Sequence, residues 1–94
     1  VNVETLREGL AARDLLELVA DVARQHGATV DEVLAQDKTP RVSHARQAVW
    51  HALRHHPERR YSYPDIGRLF GRDHSTIIYG VRAYERWLLS RSAP

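Results

Sequence analysis

Apolar residues in this chain recur at intervals of three and four, and nearly every run is cut short by a glycine, a proline or a Ser/Thr cap. That rhythm admits short amphipathic helices and little else, because a half-buried strand needs strict alternation and no convincing stretch of it is present. Val3, Leu6 and Leu10 mark a first helix. Leu15, Leu18, Val19, Val22 and Ala23 mark a second, with Gly27 as its stop. Thr29-x-x-Glu32 forms a capping box for a third, which turns Val30, Val33 and Leu34 inward. Residues 36–41, Gln-Asp-Lys-Thr-Pro-Arg, read as the main loop, after which Ser43 is the expected cap of a fourth helix. Its core face is Ala45, Ala48, Val49, Ala52 and Leu53, and it ends before Pro57.

The last third is the most sharply punctuated. Residues 62–65, Ser-Tyr-Pro-Asp, open a short helix as a second capping box, with Pro64 tolerated in the first turn. Ile66, Leu69 and Phe70 face inward and Gly71 follows the helix end. After the turn Gly71-Arg72-Asp73, a longer helix runs to about Leu89. Its apolar seam is Ile77, Val81, Tyr84 and Leu88, and its outer stripe is Ser75, Tyr79, Arg82 and Arg86. The expected fold is all-α, a compact bundle of five to six short helices containing a helix-turn-helix.

At 94 residues the chain builds one modest core and leaves no room for a nucleotide-hydrolysing domain beside a second module. It contains no cysteine, which excludes disulfides and thiolate metal sites and suits a reducing compartment. No apolar run approaches the length of a membrane span, and the N-terminus carries acid where a signal peptide needs bases, so a cytoplasmic, nucleoid-associated protein is expected.

The formal net charge of +2 conceals a segregation. Residues 1–37 hold three arginines against eight carboxylates, a net of −5, whereas residues 38–94 hold Lys38 and ten arginines against four carboxylates, a net of +7. Coding bias explains a preference for Arg over Lys but not this separation, which points to a polyanion-binding half joined to one that faces something else. A helix-turn-helix fits. Its first helix braces the second, and the second presents its N-terminal residues to base edges in the major groove. Arg72, Asp73, His74, Ser75 and Thr76 occupy that N-terminus. Asp accepts from a cytosine amino group, His donates or accepts, and Ser or Thr hydrogen-bonds or touches a thymine methyl.

The residues go further than the pattern. Ser-Tyr-Pro-Asp-Ile-Gly-Arg-Leu-Phe-Gly-Arg-Asp-His-Ser-Thr-Ile-Ile-Tyr-Gly, residues 62–80, closely resembles the signature of the C-terminal DNA-binding domain of the bacterial replication initiator DnaA. That family reads approximately S-L-P-x-I-G-x-x-F-G-(G)-R-D-H-T-T-V-x-x-A. Upstream, Arg46-Gln47 before an apolar helix resembles the family's helix start, and the likeness extends from about residue 14 to residue 89. It implies that Asp73, His74 and Ser75 read bases and that Pro64 touches a thymine methyl. By the same resemblance, Arg46, Gln47, Tyr63, Thr76 and Tyr79 hold phosphates or orient those that do, and Lys38 aligns roughly with an arginine that enters the minor groove. Arg41 in the same loop, Arg72 in the turn and Arg82 on the outer stripe complete the expected contact set. The implied target is double-stranded DNA carrying the asymmetric DnaA box, in replication initiation or its regulation or in transcription control, with no cofactor and no enzymatic activity. Residues 14–94 are then the DNA-binding domain, and residues 1–13 a helix of unassigned role.

This sequence departs from the family pattern in four places. The basic loop is depleted to Asp37-Lys38-Thr39-Pro40-Arg41, His44-Ala45 replace an Arg-Pro pair, Ser75 replaces Thr, and Gly80 replaces Ala. Glycine inside a helix costs about 0.5–1 kcal/mol relative to alanine unless close packing requires it. No Gly-x-x-x-x-Gly-Lys-Ser/Thr stretch is present to cradle a triphosphate. The unmatched first helix, the Val-Asn start and the absent C-terminal extension favour a stand-alone protein over a fragment of an initiator. The depleted loop motivates a second expectation, a protein-interaction module that uses residues 1–37 to bind a partner or itself, with weak DNA binding. His51-x-x-x-His55 has metal-ligand spacing but no third ligand evident in the sequence, so no metal is expected. Trp50 and Trp87 are expected to pack rather than stack on bases.

Overall fold

The computed structural model describes residues 2–92, and among them are six helices and no strand. They are α1 (Val3–Ala12), α2 (Leu16–Gln25), α3 (Val30–Leu34), α4 (Pro40–Arg54), α5 (Tyr63–Phe70) and α6 (His74–Ser92). The all-α expectation stands, at the upper end of its helix count.

Three of the helices end in the same way. Asp14, Gly27 and Gly71 take left-handed φ values of 60°, 73° and 64°, and in each case the next residue's N–H reaches back to a carbonyl five residues earlier. The pairs are Leu15 to Leu10 at 2.9 Å, Ala28 to Ala23 at 2.9 Å and Arg72 to Gly67 at 2.8 Å. This closure satisfies carbonyls that the helix end would otherwise leave open. It also drops Leu15 and Ala28 into the core directly behind the turn. Asp14 does this without glycine's freedom, a conformation that Asp tolerates better than most residues.

The start of α4 differs from the sequence expectation. The helix begins at Pro40 with Thr39 as its N-cap residue, one turn before Ser43. Proline at the first helical position has the right φ already and lacks only an N–H that would be unpaired there anyway. Gly27 and Glu32 then anchor the first turn through Arg41, which donates to Gly27 O at 2.5 Å and to the Glu32 carboxylate at 3.2 and 2.8 Å.

One continuous core runs through all six helices. Leu6 and Leu10 of α1 lie in the same cluster as Val19, Val33, Val49, Leu53, Ile66, Phe70, Ile77 and Val81. The first helix is therefore built into the domain, packing against α3 and α5. Trp50 is buried in the C-terminal half of α4 with its ring edge-on to Phe70, centroids 6.1 Å apart. Beyond Val81, α6 leaves the deep core, and its half-buried Tyr84 and Trp87 stack on each other beside His26 and His44.

Candidate nucleic-acid interface

The helix-turn-helix is α5, the turn Gly71–Asp73 and α6. Ser62 caps α5 by accepting the Asp65 N–H at 3.2 Å. Hydrogen bonding of the Asp65 carboxyl to the Ser62 side chain, and then to the Arg68 guanidinium, holds it below its ordinary pKa. The turn is tight enough to select its residues. A Cβ on Gly67 would stand 2.6 Å from the Arg72 carbonyl oxygen, so α5 accepts only glycine where the chain doubles back. Asp73 then caps α6, its Oδ2 accepting the Ser75 N–H at 3.1 Å.

This geometry pushes the start of α6 outward. Asp73, His74, Ser75 and Thr76 are all exposed, and one and two turns on so are Tyr79, at 67%, and Arg82. Pro64 is exposed beside them, sharing a shallow surface depression with Arg72, Asp73 and His74. Arg68, which sequence reasoning passed over, lines the same depression. Its position four residues after Pro64, on the same outer face of α5, was the available signal.

A second recess lies where α4 meets α6. Lys38, Ser43, Gln47, Thr76 and Tyr79 surround it, with Arg46 and Arg72 at its wall. Lys38 is exposed and Gln47 half-buried. Tyr63 is half-buried at the start of α5, where the Arg54 guanidinium covers its ring at 4.7 Å.

Two of the expected DNA contacts are engaged by the protein's own groups, one buried and one at the surface. Arg46 is only 4% exposed. Its Nε donates to Val33 O at 2.9 Å, and one terminal nitrogen donates to Glu32 O at 3.2 Å and Ala35 O at 2.9 Å. A five-residue helix cannot pair its own last carbonyls, and Arg46 does so for α3 from across the core. Burial, with the neighbouring Arg72, lowers the Arg46 pKa from its usual value, and Asp37 works against that shift. Arg41 is likewise engaged, and the pairing holds the Glu32 carboxyl down at about 2. The sequence alone casts both arginines as cations facing a polyanion; the fold uses them to tie α3 to α4. Arg72 is intermediate. It donates to Ala35 O at 2.9 Å while bordering both recesses, and burial lowers its pKa.

The close approach of α6 to α4 rests on Gly80. A Cβ there would lie 2.5 Å from Cε3 and 2.6 Å from Cζ3 of Trp50. The departure from alanine at this position therefore has a packing reason, and Trp50 packs as expected.

The chain matches a family model described as a bacterial DnaA protein helix-turn-helix over residues 16–83. The chromosomal replication initiator protein DnaA of Thermus thermophilus is 32% identical over 87 residues, covering 87% of this chain and 20% of that protein. That of Tropheryma whipplei is 32% identical over 69 residues, covering 73% of this chain and 14% of that protein. The Deinococcus radiodurans protein of the same name is 29% identical over 68 residues, covering 72% and 14%. The chain thus spans a fifth or less of the length of these relatives. No solved structure matches it significantly.

Proposed function

This chain belongs to the family of bacterial DnaA helix-turn-helix domains, and we propose that it reads double-stranded DNA at DnaA-box-like sites in replication initiation or its regulation. The observation that carries the proposal is the outward row Asp73, His74, Ser75 and Thr76 at the start of α6, on a turn that closes only over the bare backbone of Gly67. These four side chains present one carboxylate, one imidazole and two hydroxyls at the point where a recognition helix reaches the groove floor. Pro64 offers an apolar contact beside them. Lys38, Gln47, Tyr63, Tyr79 and Arg82 are the groups we assign to the phosphate backbone, with Arg72 contributing from the turn. Arg41 and Arg46 brace the frame and leave that list. Recognition of this kind needs no cofactor and no catalysis, and it takes place wherever the DNA is, in the nucleoid.

A titration of a DnaA-box duplex against a scrambled duplex of equal length, at two salt concentrations, tests this reading. The box is bound more tightly, and log K falls with log salt by roughly 0.9 for each phosphate neutralised. Equal and feeble binding to both duplexes overturns it. That result would favour a protein-interaction module, a reading supported by the exposed carboxylates Glu4, Glu8, Glu17, Asp21 and Asp31 of the acidic N-terminal segment.

A further inference from the structure

The sequence offers a His-x-x-x-His pair with no third ligand nearby in the chain; the fold supplies one from another helix. His51 lies in the last turn of α4 and His55 is its C-cap residue. Glu85, three turns along α6, comes up against both. Its Oε2 is 4.0 Å from His51 Nε2 and 3.5 Å from His55 Nε2, and the three candidate ligand atoms all lie within 4.8 Å of one another.

We propose that His51, His55 and Glu85 form a binding site for a divalent transition-metal ion of the zinc class, with the remaining coordination positions open to solvent. Tetrahedral zinc with bonds of about 2.0–2.1 Å sets its ligand atoms about 3.3–3.4 Å apart. The Glu85 oxygen stands within an ångström of that separation from both imidazoles, and the remaining adjustment falls on the right side chains. His51 is half-buried, its ring 5.1 Å from that of Tyr84, whereas the side chains of His55 and Glu85 are 53% and 45% exposed and free to swing. Two imidazoles and one carboxylate suit zinc, nickel or copper and are a poor set for magnesium or calcium. The position also favours a cation, because the carbonyl end of α4 carries the negative end of the helix dipole. An ion here clamps α4 to the part of α6 that has left the deep core, and so steadies the helix that begins at His74. The site lies well along α6 from the DNA-facing row at its start and does not depend on it.

The competing description is a plain imidazole–carboxylate cluster that pairs charges and binds no metal. Tag-free full-length chain, stripped with chelator, separates the two when titrated with zinc by calorimetry and with cobalt by absorption spectroscopy. One ion binds per chain, cobalt shows the intense visible bands of low coordination, and saturating zinc raises Tm by several degrees. His55→Ala and Glu85→Gln, both at exposed side chains, keep the far-ultraviolet circular dichroism of the parent. Each weakens zinc binding by about tenfold or more and removes the gain in Tm. Absence of binding at micromolar zinc overturns the proposal, as does an ion that binds both variants as tightly as the parent.

Discussion

Gly80 and Trp50 are in contact at the limit of what two helices allow, with the place of a Gly80 Cβ only 2.5 Å from Trp50 Cε3. The absent methyl sets how closely α6 lies on α4. Gly80→Ala gains helix propensity worth about 1 kcal/mol but overpacks a buried indole, which costs about 1–3 kcal/mol. A net loss of stability in urea unfolding is the expected outcome, partly restored by Trp50→Leu in the same chain. A Gly80→Ala variant more stable than the parent would contradict this account.

Arg46 behaves as a structural residue. Arg46→Ala removes the donor to the Val33 carbonyl and one of the two donors to each of the Glu32 and Ala35 carbonyls, and charge-assisted bonds of this kind are worth about 1.5–3 kcal/mol. Thermal unfolding is expected to show a large drop in Tm, which Arg46→Lys does not repair because an ammonium cannot fork across three carbonyls. Full stability combined with lost DNA affinity would return Arg46 to the phosphate contacts.

The proposed function concentrates base reading at the start of α6. His74→Ala is expected to narrow the preference for box over scrambled duplex by roughly 1–3 kcal/mol. Asp73→Ala also removes the cap on Ser75 N–H, so Asp73→Asn, which can still cap, isolates the loss of the carboxylate. Competition binding that finds unchanged selectivity in both His74→Ala and Asp73→Asn would exclude them as base readers.

Backbone contacts have a different signature. Lys38→Ala and Arg82→Ala remove exposed cations and should weaken binding to every duplex alike, each lowering the salt slope by about 1. A change in sequence preference with the slope unaltered would mean that the residue reads bases.

Acid should loosen the fold before carboxylates titrate. His26 and His44 have pKa values lowered by burial, with Arg91 adding to the shift at His26 and His26 to that at His44. His51 is lowered too, by burial and then by His55, against the pull of Glu85. The unfolded chain therefore binds protons that the folded chain refuses as pH falls below about 6.5. Stability is full above that value and declines toward the folded-state pKa values. The depressed carboxyls Glu32, Asp37 and Asp65 act only lower, below about pH 4. In chelator-containing buffer the urea midpoint should fall between about pH 7.5 and 5.5, on either side of the ordinary imidazole pKa, and fall less in His26→Gln/His44→Gln. A midpoint equal at both pH values would refute the assignment.

The six helices and the helix-turn-helix were legible in the sequence because their signals are local. Apolar spacing, the Thr29 and Ser62 caps and the stop at Gly71 each act within about one helical turn of the residues they organise. The family signature at 62–80 was legible for the same reason, being one contiguous stretch. The start of α4 was misplaced by one turn because Ser43 is a good cap by type, while the decision was made by Pro40 and by Arg41 reaching across to Glu32.

Charge alone cannot say where an arginine points. Arg41, Arg46 and Arg72 look alike in the sequence, yet one pairs with Glu32, one is sealed beneath α3 and one bridges to Ala35. Each outcome depends on carbonyls or carboxylates 9 to 37 residues away. Glu85 joins His51 and His55 by the same kind of long-range meeting. The sequence by itself determined which segments are helical and which row of side chains heads the last helix, since hydrophobic period and capping are local. Tertiary structure alone decided which cations are tied to the protein's own groups, because a carbonyl competes with water for a guanidinium only once packing has brought the two together.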